Sequence, residues 1–162
     1  MSPAAEKRTD ELRELYRELI LDHARSPRHF GKLADSTHSA EGINPLCGDK
    51  LKMYFRISEG GLIDDACFEG SGCAISVASA SLLTDTVIGM STGDALRYFD
   101  ALVASLSTDS DGDSNTATTI ELGKLQALQG VKEFPSRVKC ASLAWHALNS
   151  AIHQDKLPAS TE

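Results

Sequence analysis

The sequence predicts a single α+β domain in which a small antiparallel β-sheet packs with several helices. Apolar residues recur at helical spacing near both ends of the chain, and they alternate with polar residues in a central segment. No segment has the composition of a linker between domains. A length of 162 residues also suits one hydrophobic core, so residues 1–162 are expected to form one domain.

The first predicted element is an amphipathic helix over residues 9–24. Its apolar stripe has the spacing i, i+3, i+4, i+7 and i+8, and consists of Leu12, Leu15, Tyr16, Leu19 and Ile20. We expect Thr9 or Asp10 to cap this helix and Pro27 to end it. Residues 1–9 and 154–162 are expected to be flexible tails.

The centre of the chain predicts the sheet. Residues 50–57 alternate between apolar and polar, so that Leu51, Met53, Phe55 and Ile57 share one face of a half-buried strand. A turn at residues 59–61 leads to an antiparallel strand over residues 62–69. A weaker signal predicts a further short strand over residues 40–43.

Helices follow the strands. The Gly-Ser-Gly sequence at 70–72 is expected to end the second strand, and the Ala- and Ser-rich residues 73–89 to form a helix. Another helix starts near Thr92, with Leu96, Phe99, Val103 and Leu106 on one side. After a polar, flexible loop (107–118) and a short helical piece (120–128), the last helix starts at Pro135. Its predicted buried stripe is Val138, Ala141, Trp145, Leu148 and Ile152.

Charge and composition exclude several classes of function. The formal net charge is −7 and the pI is about 5.2, which argues against nonspecific nucleic-acid binding because such binding needs a basic face. The sequence contains neither a secretory signal nor an apolar run long enough to cross a bilayer, so we expect a cytoplasmic protein without a membrane partner. In the cytoplasm its four cysteines are expected to stay reduced.

Three cysteines lie where the backbone changes direction. Cys47 is in a loop before a strand, Cys73 opens a helix after Gly-Ser-Gly, and Cys140 is near the start of the last helix. A helix N-terminus favours the thiolate, which is the form that binds a metal or attacks sulfur. Asp49 adds a carboxylate two residues from Cys47. Together these residues supply four ligands, the number that a tetrahedral zinc ion requires.

Two observations limit this interpretation. The spacing of the cysteines matches no zinc finger or ribbon, and free cysteines are often simply small buried side chains.

Cys67 lies inside a predicted strand and is expected to have no functional role. His23, His146 and His153 are expected to be surface or packing groups. The acidic run at 109–113 lacks the glycine placement and closing glutamate of an EF-hand, so we expect a solvated loop there.

Three motifs together resemble the U-type iron–sulfur cluster assembly family, which includes IscU and the N-terminal part of NifU. They are NPLCGD (44–49), GSGCAISVASAS (70–81) and RVKCASLAW (137–145). The similarity covers about residues 10–153. The sequence is most similar to the SufU branch, because Lys139 occupies the position at which the scaffold branch has a ligand histidine. A long stretch between Cys73 and Cys140 also suits that branch.

The resemblance implies a SufU/IscU-like fold and a zinc ion held by Cys47, Asp49, Cys73 and Cys140. It further implies that Cys47 accepts persulfide sulfur from a cysteine desulfurase of the SufS type, and that the sulfur passes to a SufB-containing assembly complex. The pyridoxal phosphate of this reaction belongs to the desulfurase.

Three functions therefore remain open at the level of the sequence. The first is a zinc-dependent sulfur acceptor and carrier with sulfurtransferase-like activity, which activates its desulfurase. The second is a scaffold that assembles a transient [2Fe–2S] cluster on the same cysteines, since thiolates suit iron as well as zinc. The third is a non-catalytic interaction domain that zinc stabilises. Lys139 favours the first over the second.

Overall fold

The structure, a computed structural model, describes residues 3–45, 48–106, 123–131, 134–153 and 159–160. The helices are α1 (Pro3–Arg25), α2 (Ala74–Val87), α3 (Thr92–Leu106), a 3-10 helix (Gly123–Val131) and α4 (Pro135–Ile152). The strands are β1 (His38–Asn44), β2 (Asp49–Ile57), β3 (Ile63–Ser71) and the two-residue β4 (Ala159–Ser160).

The strands form one sheet in the order β3-β2-β1-β4. The pairs β1–β2 and β2–β3 are antiparallel, whereas β4 runs parallel to β1. In the β1–β2 hairpin the register places Asn44 directly opposite Asp49, so these two residues close the base of the connecting loop. The predicted antiparallel sheet is confirmed, and the tentative strand at 40–43 is the centre of β1.

One face of the sheet carries the core. Leu51, Met53 and Phe55 are completely buried on β2, as the alternation predicted, and Phe68 is buried beside them on β3. Helix α4 packs over β1 and β2, α2 packs over β3, and α1 packs on α2. The contact between α4 and β1 is close, since a Cβ added at Gly42 would lie 3.1 Å from the Leu143 side chain. The α+β class is confirmed.

The first helix is longer than its apolar stripe suggested. It begins at Pro3, so the predicted cap at Thr9 or Asp10 is wrong. Proline suits the first position of a helix, and the alanine, glutamate and lysine that follow are strong helix formers. The helix ends at Arg25, two residues before Pro27, as predicted.

Two further boundaries differ from the prediction. Strand β3 continues through Gly70 to Ser71, because Gly70 has a φ of +129° and crosses Lys50 so closely that a Cβ would lie 2.1 Å from the Lys50 carbonyl oxygen. On α3 the buried residues are Ala95, Ala101, Leu102 and Leu106, so Leu102 rather than Val103 faces the core.

The remaining predictions are tested only in part. The predicted helical piece at 120–128 corresponds to the 3-10 helix Gly123–Val131, and the last helix starts at Pro135 as expected. The polar loop at 107–118, including its acidic run, lies outside the described residues, as do 1–2, 154–158 and 161–162 of the predicted tails. Among the helices that the structure describes, none combines the length and the apolar character needed to cross a membrane.

Candidate metal centre

Three of the four residues predicted to bind a metal come together in space. Asp49 is the first residue of β2, Cys73 immediately precedes α2, and Cys140 lies on α4. One carboxylate oxygen and the two sulfur atoms all lie within 4.8 Å of one another. The fourth predicted ligand, Cys47, lies outside the described residues.

Asp49 is buried because it lies on the core side of β2, in phase with Leu51 and Met53. Only 1% of the residue is exposed, and a buried carboxylate needs hydrogen-bond donors. The backbone N–H of Cys73 donates to Asp49 Oδ1 at 2.9 Å, and Asn44 Nδ2 donates to Asp49 Oδ2 at a longer 3.4 Å. Both carboxylate oxygens are therefore held in fixed directions.

Gly72 allows the carboxylate to approach the start of α2. A Cβ at this position would lie 2.7 Å from Asp49 Oδ1 and 2.3 Å from Ser76 Oγ, both closer than real Cβ contacts. Any side chain at residue 72 would therefore push Asp49 away from the Cys73 N–H. The glycine is required by this close approach.

Cys73 is half-buried and is the N-cap residue of α2. Its carbonyl oxygen accepts hydrogen bonds from the Val77 N–H at 3.1 Å and the Ser76 hydroxyl at 3.0 Å, which fixes the first turn of the helix. Its thiol makes no capping hydrogen bond in the part of the chain that the structure describes. The sulfur thus remains available as a ligand.

Cys140 is completely buried and lies in the second turn of α4, which starts at Pro135. This position is beyond the first turn, where the free helix N–H groups occur. The sulfur of Cys140 instead lies 3.6 Å from Asn44 Nδ2, which donates a hydrogen bond to it.

Asn44 is the residue of this site that sequence reasoning missed. It is completely buried and contacts both Asp49 and Cys140 through its amide nitrogen. A signal was present, because Ala40, Gly42 and Asn44 share the core side of β1. A polar residue that lies in phase with the buried residues of a strand is expected to form a hydrogen bond with a buried polar partner, here a nearby candidate ligand.

The donor set fits a zinc ion. Tetrahedral zinc binds sulfur at about 2.3 Å, so its sulfur ligands lie about 3.8 Å apart. The candidate ligand atoms lie within 4.8 Å of one another, so they would need to move only slightly closer together to hold the ion. Two thiols and one carboxylate leave one tetrahedral position for a fourth ligand. Thiolates also suit iron, so these atoms by themselves do not select between the two metals.

Cys67 lies apart from this group. It is half-buried on the face of the sheet that points away from the helices, and burial, together with the carboxylates of Asp65 and Asp35, raises the pKa of its thiol. An elevated pKa keeps the thiol protonated, which is the less reactive form. That Cys67 has no functional role stays a prediction.

The histidines expected to be packing or surface groups have contacts of that kind. The Nδ1 atom of the buried His23 lies 2.7 Å from Ser81 Oγ. His146 packs edge-to-face on Phe99 with ring centroids 5.2 Å apart, and burial lowers its pKa. The exposed His153 bonds the carbonyl oxygen of Asn149.

Comparison with known proteins identifies relatives of this chain. The NifU-like N-terminal domain matches residues 15–141. The chain is 38% identical over 142 residues to the zinc-dependent sulfurtransferase SufU of Bacillus subtilis, covering 88% of this chain and 92% of that protein. It is 42% identical over 141 residues to the iron-sulfur cluster assembly scaffold protein IscU of Streptococcus pyogenes, covering 87% and 84% of the two chains.

Solved structures share the fold. The crystal structure of FiSufU from Fervidobacterium islandicum superposes with a TM-score of 0.70 at 30% identity, covering 83% of this chain and 94% of that one. A NifU-like protein from Brucella abortus, at 23% identity and a TM-score of 0.74, shows the likeness of fold alone. The motifs that predicted the family, the α+β fold and these matches agree, and the chain belongs to the NifU-like N-terminal domain family.

Proposed function

We propose that this protein is a zinc-dependent sulfur acceptor and carrier for iron–sulfur cluster assembly. The observation that carries the proposal is the convergence of Asp49, Cys73 and Cys140 within 4.8 Å, beside a hairpin whose loop contains a further cysteine. A relative at 38% identity is named a zinc-dependent sulfurtransferase, which supports the same function.

In this proposal Cys47, Asp49, Cys73 and Cys140 are the zinc ligands. Bound zinc would supply positive charge that keeps the ligand thiols ionised. Asp49 and Cys140 are completely or almost completely buried, so they are suited to remain as fixed ligands. Cys47 is two residues from Asp49, and the chain therefore limits the distance between their Cα atoms to about 7 Å. Cys47 is therefore close enough along the chain to reach the same site as Asp49.

Cys47 is the proposed sulfur acceptor. Its thiolate attacks the outer sulfur of a persulfide on the desulfurase, so that a new S–S bond forms on Cys47. The S–S bond of the donor breaks at the same time, and the donor cysteine leaves as a thiolate. The step transfers sulfur without an external oxidant or reductant. The donor is a PLP-dependent cysteine desulfurase of the SufS type, and the next acceptor is a SufB-containing complex.

A second candidate is a scaffold that assembles a [2Fe–2S] cluster on the same residues. Relatives named iron-sulfur cluster assembly scaffold protein IscU, at 42% and 37% identity, favour it. Lys139 occupies the position at which the scaffold branch has a ligand histidine. A protonated lysine cannot bind a metal, so this chain lacks that further ligand, which favours zinc over a cluster. Elemental analysis of the purified protein separates the two. We expect about one zinc per chain, whereas stoichiometric iron and sulfide would support the scaffold.

The test of sulfur transfer uses the Cys47→Ala variant. After incubation with a SufS-type desulfurase and cysteine, mass spectrometry should find a sulfur adduct on the wild-type protein and none on this variant. The Cys67→Ala variant is the matched control and should accept sulfur normally, because Cys67 lies away from the site. A normal adduct on Cys47→Ala would overturn the assignment of the acceptor.

A further inference from the structure

We propose that Asn44 is a positioning residue of the metal centre. From the base of the β1–β2 hairpin, its side-chain amide bonds the candidate ligands Asp49 and Cys140 and holds them in place. The inference rests on the proposed metal site and adds a residue that does not itself bind the ion. It starts from three observations on Asn44: its hydrogen bonds, its place in the hairpin, and its side-chain carbonyl oxygen, which has no hydrogen-bond partner among the described residues.

The two hydrogen bonds of Asn44 join two candidate ligands from different elements. Its amide group has two N–H donors, and Nδ2 lies 3.4 Å from Asp49 Oδ2 and 3.6 Å from Cys140 Sγ. Asn44 and Cys140 are 96 residues apart in sequence. The amide therefore connects β1, β2 and α4 at the candidate metal centre.

The place of Asn44 in the hairpin extends this connection to the loop. Asn44 ends β1 and is paired with Asp49, which begins β2, so the two residues flank the segment that contains Cys47. In the proposed function Cys47 would accept sulfur, while Asp49 and Cys140 would hold the ion. A side chain at the base of the hairpin that bonds both Asp49 and Cys140 fixes these two ligands independently of Cys47.

The cost of burying Asn44 supports a role in the site. The residue is completely buried, and among the described residues its Oδ1 atom has no hydrogen-bond partner. An unpaired buried polar atom destabilises a fold, and an apolar side chain of similar size would avoid that cost. We therefore assign the amide to orienting the ligands, since partners of this kind commonly alter metal affinity by 10- to 100-fold.

The test compares Asn44→Leu with Ser79→Ala in a Co²⁺ titration followed by visible and near-ultraviolet spectra. Leucine has the same branched arrangement of four side-chain heavy atoms as asparagine and no donor. Ser79 is a matched control, because its buried hydroxyl donates a hydrogen bond to the Ala141 carbonyl at 2.5 Å, one residue from Cys140. Circular dichroism on each variant confirms that it is folded.

We expect Asn44→Leu to bind Co²⁺ about 10-fold or more weakly and to lose intensity in the sulfur-to-cobalt charge-transfer bands. Ser79→Ala should lower the melting temperature but keep the wild-type affinity and spectrum. Asn44→Thr, which retains one hydroxyl donor, should have an intermediate affinity and serves if the leucine variant does not fold.

Three results would each contradict a different part of these proposals. Wild-type affinity and spectrum in both folded Asn44 variants would overturn the role of Asn44 and leave the proposed function intact. A wild-type protein that binds neither Co²⁺ nor zinc would overturn the proposed metal site, and the role of Asn44 with it. A wild-type protein that binds the metal but accepts no sulfur would refute sulfur transfer alone.

Discussion

Cys140 and Cys67 both lie in regular secondary structure, but their surroundings are opposite in character. Cys140 is completely buried and receives a hydrogen bond from the Asn44 amide. Cys67 is half-buried on the outer face of the sheet, opposite Tyr54, and burial together with nearby carboxylates raises the pKa of its thiol. The Asn44 amide offers an N–H donor to the sulfur of Cys140, whereas carboxylates lie near the sulfur of Cys67.

The difference shows that burial alone does not make a cysteine a structural residue or a ligand. What separates the two is the direction of the neighbouring groups. Around Cys140 and Cys73 the neighbours are a carboxylate already held by N–H donors and an amide that donates to sulfur. Around Cys67 the neighbours are carboxylates that oppose a thiolate. Three changes would break or sharpen this contrast.

The largest effect is expected from removing a cysteine of the candidate metal centre. Cys140→Ala and Cys73→Ala should lose the metal and lower the free energy of unfolding by roughly 3–5 kcal/mol, because the ion joins three separate segments. For a chain of this size that corresponds to a drop in melting temperature of about 10 °C. Differential scanning calorimetry with zinc analysis measures both. Treatment of the wild type with a strong chelator should reproduce the shift, and an unchanged melting temperature after confirmed metal loss would contradict the prediction.

A smaller effect is expected from crowding the Asp49 carboxylate. Gly72→Ala places a methyl carbon 2.7 Å from Asp49 Oδ1 and 2.3 Å from Ser76 Oγ, so it should destabilise the fold by about 1–3 kcal/mol and weaken metal binding. Gly60→Ala is the matched control, since its Cβ would meet only Ser58 Oγ at 3.9 Å. Chemical denaturation and metal titration of both variants give the comparison, and equal behaviour of the two would show that the close approach at Gly72 is unimportant.

The smallest effect is expected at Cys67. Because its pKa is raised, the thiolate fraction at any pH near 8 is lower in the folded protein than in the unfolded chain, and alkylation by iodoacetamide should be slower. The folded rate should approach the unfolded rate only as the pH rises above the elevated pKa. Mass spectrometry of Cys67 peptides, with and without urea, measures this. Cys67→Ala should change the free energy of unfolding by less than about 1 kcal/mol, and rapid folded-state labelling at pH 7 would contradict the assignment.

The sequence by itself determined the secondary structure of the central part of the chain and predicted most residues of the candidate metal centre. Leu51, Met53 and Phe55 alternate with polar residues, as in any strand that buries one face, and this pattern depends only on neighbouring residues. The structure buries all three side chains. The three cysteine motifs likewise predicted the family. The start of α1 at Pro3 was missed because residues that form helices well need no apolar stripe to extend one.

Only the tertiary structure decided which side chains meet and from which direction. Asp49, Cys73 and Cys140 converge because α2 and α4 pack on the same face of the sheet, and packing between distant segments leaves no local periodicity to read. For the same reason the bridge from Asn44 to Cys140, across 96 residues, appears only in three dimensions. The placement of Cys140 in the second turn of α4 also depended on where that helix begins. The hydrogen-bond donor to its sulfur is the side-chain amide of Asn44 and not a backbone N–H at the helix terminus.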